Sequence, residues 1–227
     1  MNILTKLLFD NQDLKYKEFS KKLIPDTNYP IIGVRAPTIK NIAKDAAKND
    51  DAFQSFINHK HEYYEEFLLH GLLIGQKKLS VDQTLTLLED FLPCIDNWAI
   101  CDCTVSALKV FKKDLPKVFL KVKEWIKSDR PYTVRFALVT LLDYFLGENF
   151  NEEVLSLAVS ACTNHYYINM AIAWLISVAL VKNYTQTISL IESKVLPKFV
   201  QNKSIQKAVE SFRISNETKE YLKSFKI

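Results

Sequence analysis

The chain has 227 residues, 48% hydrophobic and 25% charged, with a net charge of +4. That mix is ordinary for a globular protein with a sizeable core, expected here as one domain over residues 1–227. No apolar run nears the roughly 18 residues needed to cross a bilayer, and the N-terminus lacks the pattern of a secretory signal, so a membrane or secreted protein is not expected and a cytoplasmic monomer is.

Only 4 glycines and 7 prolines occur, which favours helices with short connections. Leu4, Leu7 and Leu8 open a first helix, and Phe19 and Leu23 close a second. Pro25 to Pro37, with Pro30 and Gly33 inside it, is the longest break and reads as a loop. Pro37 then suits the first turn of a helix carrying Ile39, Ile42, Ala43 and Ala46. Helical periodicity continues over 51–58, 61–74, 80–91, 98–111, 115–127, 132–146, 152–162, 166–181, 185–192, 194–212 and 216–225. No strand-type alternation appears. The expected fold is all-α.

Helical pairs recur every 35 to 40 residues or so, the period of two-helix solenoid repeats. An α-solenoid of HEAT-like repeats presents a concave groove lined by one helix of each pair. The helices opening near Trp98, Tyr132 and Tyr166 hold equivalent places. Trp98, Asp102, Arg135 and Trp174 are therefore expected to converge across a separation of 76 residues.

Trp98 and Asp102 are four residues apart and share one helix face. An aromatic plane beside a carboxylate suits a cationic partner, since the ring face and the carboxylate are both negative. Ordinary amphipathic packing, a core tryptophan next to a solvated aspartate, gives the same spacing. Cys101 and Cys103 form a CxC pair, with Cys94 and Cys162 distant, and read as buried reduced thiols rather than metal ligands. The histidines (His59, His61, His70 and His165) form no metal or nucleophile motif, and no nucleotide loop or cofactor signature occurs; no metal and no cofactor are expected.

Charge is uneven. Residues 109–135 hold nine bases against three acids, and residues 182–227 nine against four. Two basic blocks suggest a polyanion footprint, although solvated lysine faces are common on helices. Lysine outnumbers arginine 26 to 4, favouring loose phosphate contact over base reading. Lys109, Lys112 and Lys113 lead the first block. Arg135 sits in the apolar run Tyr132-Thr-Val-Arg-Phe-Ala-Leu-Val, either on an exposed face or buried with a partner.

These segments together resemble the AlkD-type DNA alkylation repair proteins, a family of HEAT-like-repeat DNA glycosylases. Gly33-Val-Arg-Ala-Pro-Thr-Ile-Lys-Asn-Ile-Ala-Lys44 resembles the first-repeat signature, and Asn97-Trp-Ala-Ile-Cys-Asp102 the tryptophan–aspartate motif. Trp125-Ile-Lys-Ser-Asp with Val134-Arg-Phe-Ala resembles the segment of the active-site arginine, and Tyr166 to Trp174 the helix of the second tryptophan. The likeness covers about residues 1–215, in order and at suitable separations.

The resemblance implies a solenoid gripping double-stranded DNA that contains alkylated bases. It implies removal of cationic purines such as 3-methyladenine and 7-methylguanine by hydrolysis of the N-glycosidic bond. Departure of a cationic purine leaves an oxocarbenium-like sugar. Asp102 is suited to stabilise that charge and orient a water, and Trp98 and Trp174 to pack against the cationic sugar. Arg135 is suited to hold a phosphate, with Lys109, Lys112 and Lys113 adding salt-sensitive affinity. A basic residue often follows the family's second tryptophan by one turn; Ser177 stands there instead. A catalytically silent DNA-binding relative and a protein-binding HEAT-type scaffold are the alternative readings.

Overall fold

The computed structural model describes residues 2–227, which form fourteen α-helices and no strand. Two compact units divide the chain, residues 1–114 and 115–227. The first holds α1 (Ile3–Asp10), α2 (Leu14–Leu23), α3 (Ala36–Ala46), α4 (Asp50–Ile57), α5 (Tyr64–Gln76), α6 (Val81–Phe91) and α7 (Trp98–Ala107). Its centre is α5, flanked by α3 and α7 and paired with α4 and α6, while α1 packs on α3 and α5.

The second unit holds α8 (Leu115–Trp125), α9 (Pro131–Tyr144), α10 (Glu153–Ser160), α11 (Tyr166–Lys182), α12 (Tyr184–Glu192), α13 (Lys198–Glu210) and α14 (Asn216–Lys223). Here α11 is central, between α9 and α13, with α10 and α12 as its chain neighbours. Helical hairpins stacked so that every second helix lies side by side are the packing of an α-solenoid. The helices α7, α9 and α11 begin at Trp98, Pro131 and Tyr166, close to the period read from the sequence.

A central helix has neighbours on several sides, so it is apolar nearly all round. In α5 every residue from Tyr64 to Ile74 except His70 is buried, and in α11 Ile168, Ala171, Ile172, Ala173, Leu175, Ile176, Ala179 and Leu180 are. The α5–α7 approach is close. A Cβ on Gly71 would lie 1.9 Å from Thr104 Oγ1, so only glycine fits there. That approach sets the position of α7 and with it Trp98 and Asp102.

Several expected boundaries shift for local reasons. The helix expected from His61 begins at Tyr64, because the Glu66 carboxylate turns back to accept from the Glu62 and Tyr63 N–H groups at 2.8 and 3.0 Å. The helix expected over 98–111 ends at Ala107, and Lys109–Lys113 forms a 3-10 turn. The helix expected from Lys194 begins at Lys198. Lys194 has φ 54°, and Pro197 pushes Leu196 away from helical geometry. All four cysteines were expected to be buried; only Cys101 is, while Cys94, Cys103 and Cys162 are partly exposed, and all four are free thiols, as expected. Among the described residues no helix is long and apolar enough to cross a membrane, and no three His, Cys, Asp or Glu side chains gather for a metal.

Candidate functional site

Asn97 starts α7. Its Oδ1 accepts from the Ala99 and Ile100 N–H groups at 3.0 and 3.1 Å, satisfying two of the free donors of the first turn. Its Nδ2 donates to Asp96 at 2.7 Å. Asp96 in turn accepts from Thr27 Oγ1 at 3.0 Å and Asn28 N–H at 2.6 Å, which ties the loop after α2 to the start of α7. Tyr29 strengthens that tie, donating to the Cys94 carbonyl at 2.9 Å and stacking on Phe67 with ring centroids 3.9 Å apart.

Trp98 is half-buried and held by its own N–H. The indole Nε1 donates to the Leu23 carbonyl at 3.3 Å, a free acceptor in the last turn of α2. Asp102 follows one turn later on the same face, also half-buried. Cys103 beside it is raised by burial, lowered by Lys40 of α3 and raised by Asp102, so the three groups share one electrostatic neighbourhood. Tyr64 is held neutral, pushed far up by burial and then by Cys103, Glu65, Tyr16 and Asp96.

The position of α2 depends on the loop that carries Gly33. Glu65 is fully buried, and its carboxylate accepts from the Ile32, Gly33 and Val34 N–H groups at 2.8, 2.6 and 3.1 Å. Burial raises its pKa, and the three N–H groups oppose that rise. Gly33 has φ +103° and receives the Asp13 N–H at its carbonyl at 2.8 Å; a Cβ there would lie 2.6 Å from Asp13 O. Arg35 spans back to Asp13 at 2.9 Å with its guanidinium 4.8 Å over the Tyr16 ring. The signature from Gly33 to Pro37 is thus a device that docks α2, and α2 holds Trp98.

Sequence reasoning missed Glu65 and Phe19. The signal for Glu65 was a carboxylate in a strongly apolar helix with no lysine or arginine one turn away. Phe19 of α2 is 55% exposed and Leu23 44%, so an apolar strip adjoins the carbonyl that holds Trp98. Its helical spacing from Leu23 is equally that of a core face.

Lys109, Lys112 and Lys113 are all exposed on the 3-10 turn. They lie beyond the far end of α7, which at ten residues is about 15 Å long, and not beside Trp98. Arg135 and Trp174 lie in the second unit, on α9 and α11. Arg135 is the buried alternative, 6% exposed, and its Nη1 donates to the Tyr167 carbonyl at 2.8 Å. Trp174 is half-buried and lines a cavity of about 420 Å³. Ser177 is buried, its hydroxyl donating to the Trp174 carbonyl at 2.7 Å.

This arrangement can hold a positively charged group against an indole and a carboxylate in the first unit. Half-burial of both keeps the interaction stronger than it would be in bulk water while leaving access. A family model described as DNA alkylation repair enzyme matches residues 4–209 of the chain. No curated protein matches it.

Proposed function

The chain belongs to the DNA alkylation repair enzyme family, and we propose that within it this protein is a DNA glycosylase for positively charged alkylpurines such as 3-methyladenine and 7-methylguanine. The observation that carries the reading is Trp98, fixed by its N–H at one end of α7, with the Asp102 carboxylate one turn further on the same face.

The leaving purine already carries positive charge, so it departs without being protonated. As the N-glycosidic bond lengthens, positive charge passes to the sugar. Asp102 opposes that charge and orients a water for attack at the anomeric carbon. The water adds its oxygen to that carbon and gives up a proton, with the carboxylate as base, while the bond electrons leave with the neutral purine. Trp98 keeps its indole plane in place because Leu23 O holds its N–H, and the ring face favours the cationic sugar by about 0.5–2 kcal/mol. We assign Trp174 as a second indole. Lys109, Lys112 and Lys113 are assigned to phosphates as exposed point charges; the phosphate role expected of Arg135 is not carried forward, because its guanidinium is buried on the Tyr167 carbonyl.

The buried Ser177 favours a second reading, a relative that binds DNA without cleaving it, because it leaves α11 without a cation one turn after Trp174. The test is incubation with methylated duplex DNA. Release of free 3-methyladenine or 7-methylguanine supports the glycosylase reading, and binding without release supports the second.

A further inference from the structure

The cavity beside Trp174 is built within the second unit by α11, α13 and the turn after α13. Its walls include Trp174, Val178, Lys207, Glu210, Phe212 and Arg213. At about 420 Å³ it falls in the size range of small-ligand sites.

The turn is braced so that two side chains point outward. The Ser211 N–H donates to Ala208 O at 3.0 Å, and the Arg213 N–H to Ser211 Oγ at 3.2 Å. Ile214 is buried, and Ser215 caps α14 by accepting from the Thr218 N–H at 3.2 Å. Phe212, between these anchors, is 102% exposed, the most exposed of the large apolar residues described. A phenyl ring fully in water beside a half-buried indole contributes nothing to the core.

The charges point to an anion. Neither Lys207 nor Arg213 has an acid within ion-pair distance among the described residues. The one carboxylate in the lining, Glu210, accepts from Gln206 Nε2 at 2.9 Å, in a chain that continues from Gln206 Oε1 to Lys203 at 2.8 Å. Two aromatic faces and two unpaired cations around a cavity of this size match one nucleotide: a base for the rings and a phosphate for the cations.

We propose that this cavity takes a single unpaired nucleotide of the DNA substrate, its base against Trp174 and Phe212 and its phosphate on Lys207 and Arg213. The proposal rests on the reading that the protein acts on DNA. It adds a subsite that recognises a base outside the duplex; Trp174, assigned above as the second indole, is the side chain the two roles share, and Phe212, Lys207 and Arg213 belong to the subsite alone.

The test uses two unmodified duplexes, one fully paired and one with a single unpaired 2-aminopurine, a fluorescent base quenched on stacking. The intact protein is expected to bind the unpaired form about tenfold more tightly and to quench it, a preference within what base–aromatic stacking supplies. Phe212→Ala should remove the quenching and the preference, leaving paired-duplex affinity within about twofold and the melting temperature unchanged, since the ring touches no core. Lys207→Ala with Arg213→Ala should weaken binding of the unpaired form about tenfold. Equal affinity of the intact protein for both duplexes, or a preference that survives both variants, overturns the subsite. Failure to bind either duplex overturns the DNA reading itself. Alkylpurine release retained in Phe212→Ala with the preference lost supports the subsite and leaves the glycosylase reading standing.

Discussion

The indole N–H of Trp98 donates to the carbonyl oxygen of Leu23 at 3.3 Å, across 75 residues of sequence. One bond thereby closes the end of α2 and orients the ring that faces the proposed reaction. Trp98→Phe keeps an aromatic face but removes that donor. It should cost about 1 kcal/mol of stability, the net value of one hydrogen bond with its acceptor left open. Base release should fall about tenfold, because a phenyl ring is the weaker cation partner and is no longer held. Chemical denaturation and single-turnover release measure the two effects; a variant with normal turnover would detach Trp98 from the chemistry.

The Glu65 carboxylate accepts three backbone N–H groups in the interior. Glu65→Gln removes the charge and turns an amide NH₂ toward donors. A loss of about 2–3 kcal/mol is expected, the range for hydrogen bonds to a buried charged group. Gly33→Ala should cost a similar amount, since its φ of +103° and the 2.6 Å approach to Asp13 O both reject a Cβ. Unfolding midpoints in urea check both, and wild-type midpoints would mean that the loop does not hold α2.

His61 Nε2 and His70 Nδ1 lie 2.8 Å apart in the first unit. Burial lowers His61 to about 4, opposed by the Glu66 carboxylate and assisted by His59. Burial and then His61 lower His70 to about 3. The unfolded chain binds these protons near pH 6.5 and the folded chain does not. Stability is therefore full above about pH 6.5 and falls as pH drops toward 4, by about 3 kcal/mol for each histidine over that window. His70→Gln should flatten the slope of unfolding free energy against pH; an unchanged slope would assign the acid sensitivity elsewhere.

Lys109, Lys112 and Lys113 stand exposed on one 3-10 turn. If each meets a phosphate, replacing all three with alanine should lower the slope of log affinity against log salt by about 2 to 3, at about 0.9 per phosphate contact. A salt titration of duplex binding reads this directly. An unchanged slope would remove these lysines from the interface.

Much of this was legible in the sequence. The scarcity of glycine and proline and the helical period give the all-α hairpins, and the starts of α6, α7, α8 and α11 follow from Ser80, Trp98, Leu115 and Tyr166. What escaped depended on contacts distant in the chain. Periodicity cannot show that Glu65 faces backbone N–H groups from residues 32–34, or that the Trp98 N–H reaches α2. Arg135 was left between two environments because an apolar helix accommodates either; the Tyr167 carbonyl decides for burial. The start of α13 was different. Pro197 stood in the sequence as a stop signal that the surrounding apolar pattern masked.

The most direct measurement is single-turnover release of 7-methylguanine from methylated duplex DNA by Asp102→Asn, alongside its affinity for the same duplex. The substitution keeps size and removes the charge proposed to meet the sugar cation. Release should fall at least about a hundredfold, the usual scale for losing one such electrostatic contact, while binding changes less than about threefold. Release at the rate of the unaltered protein would contradict the proposed chemistry.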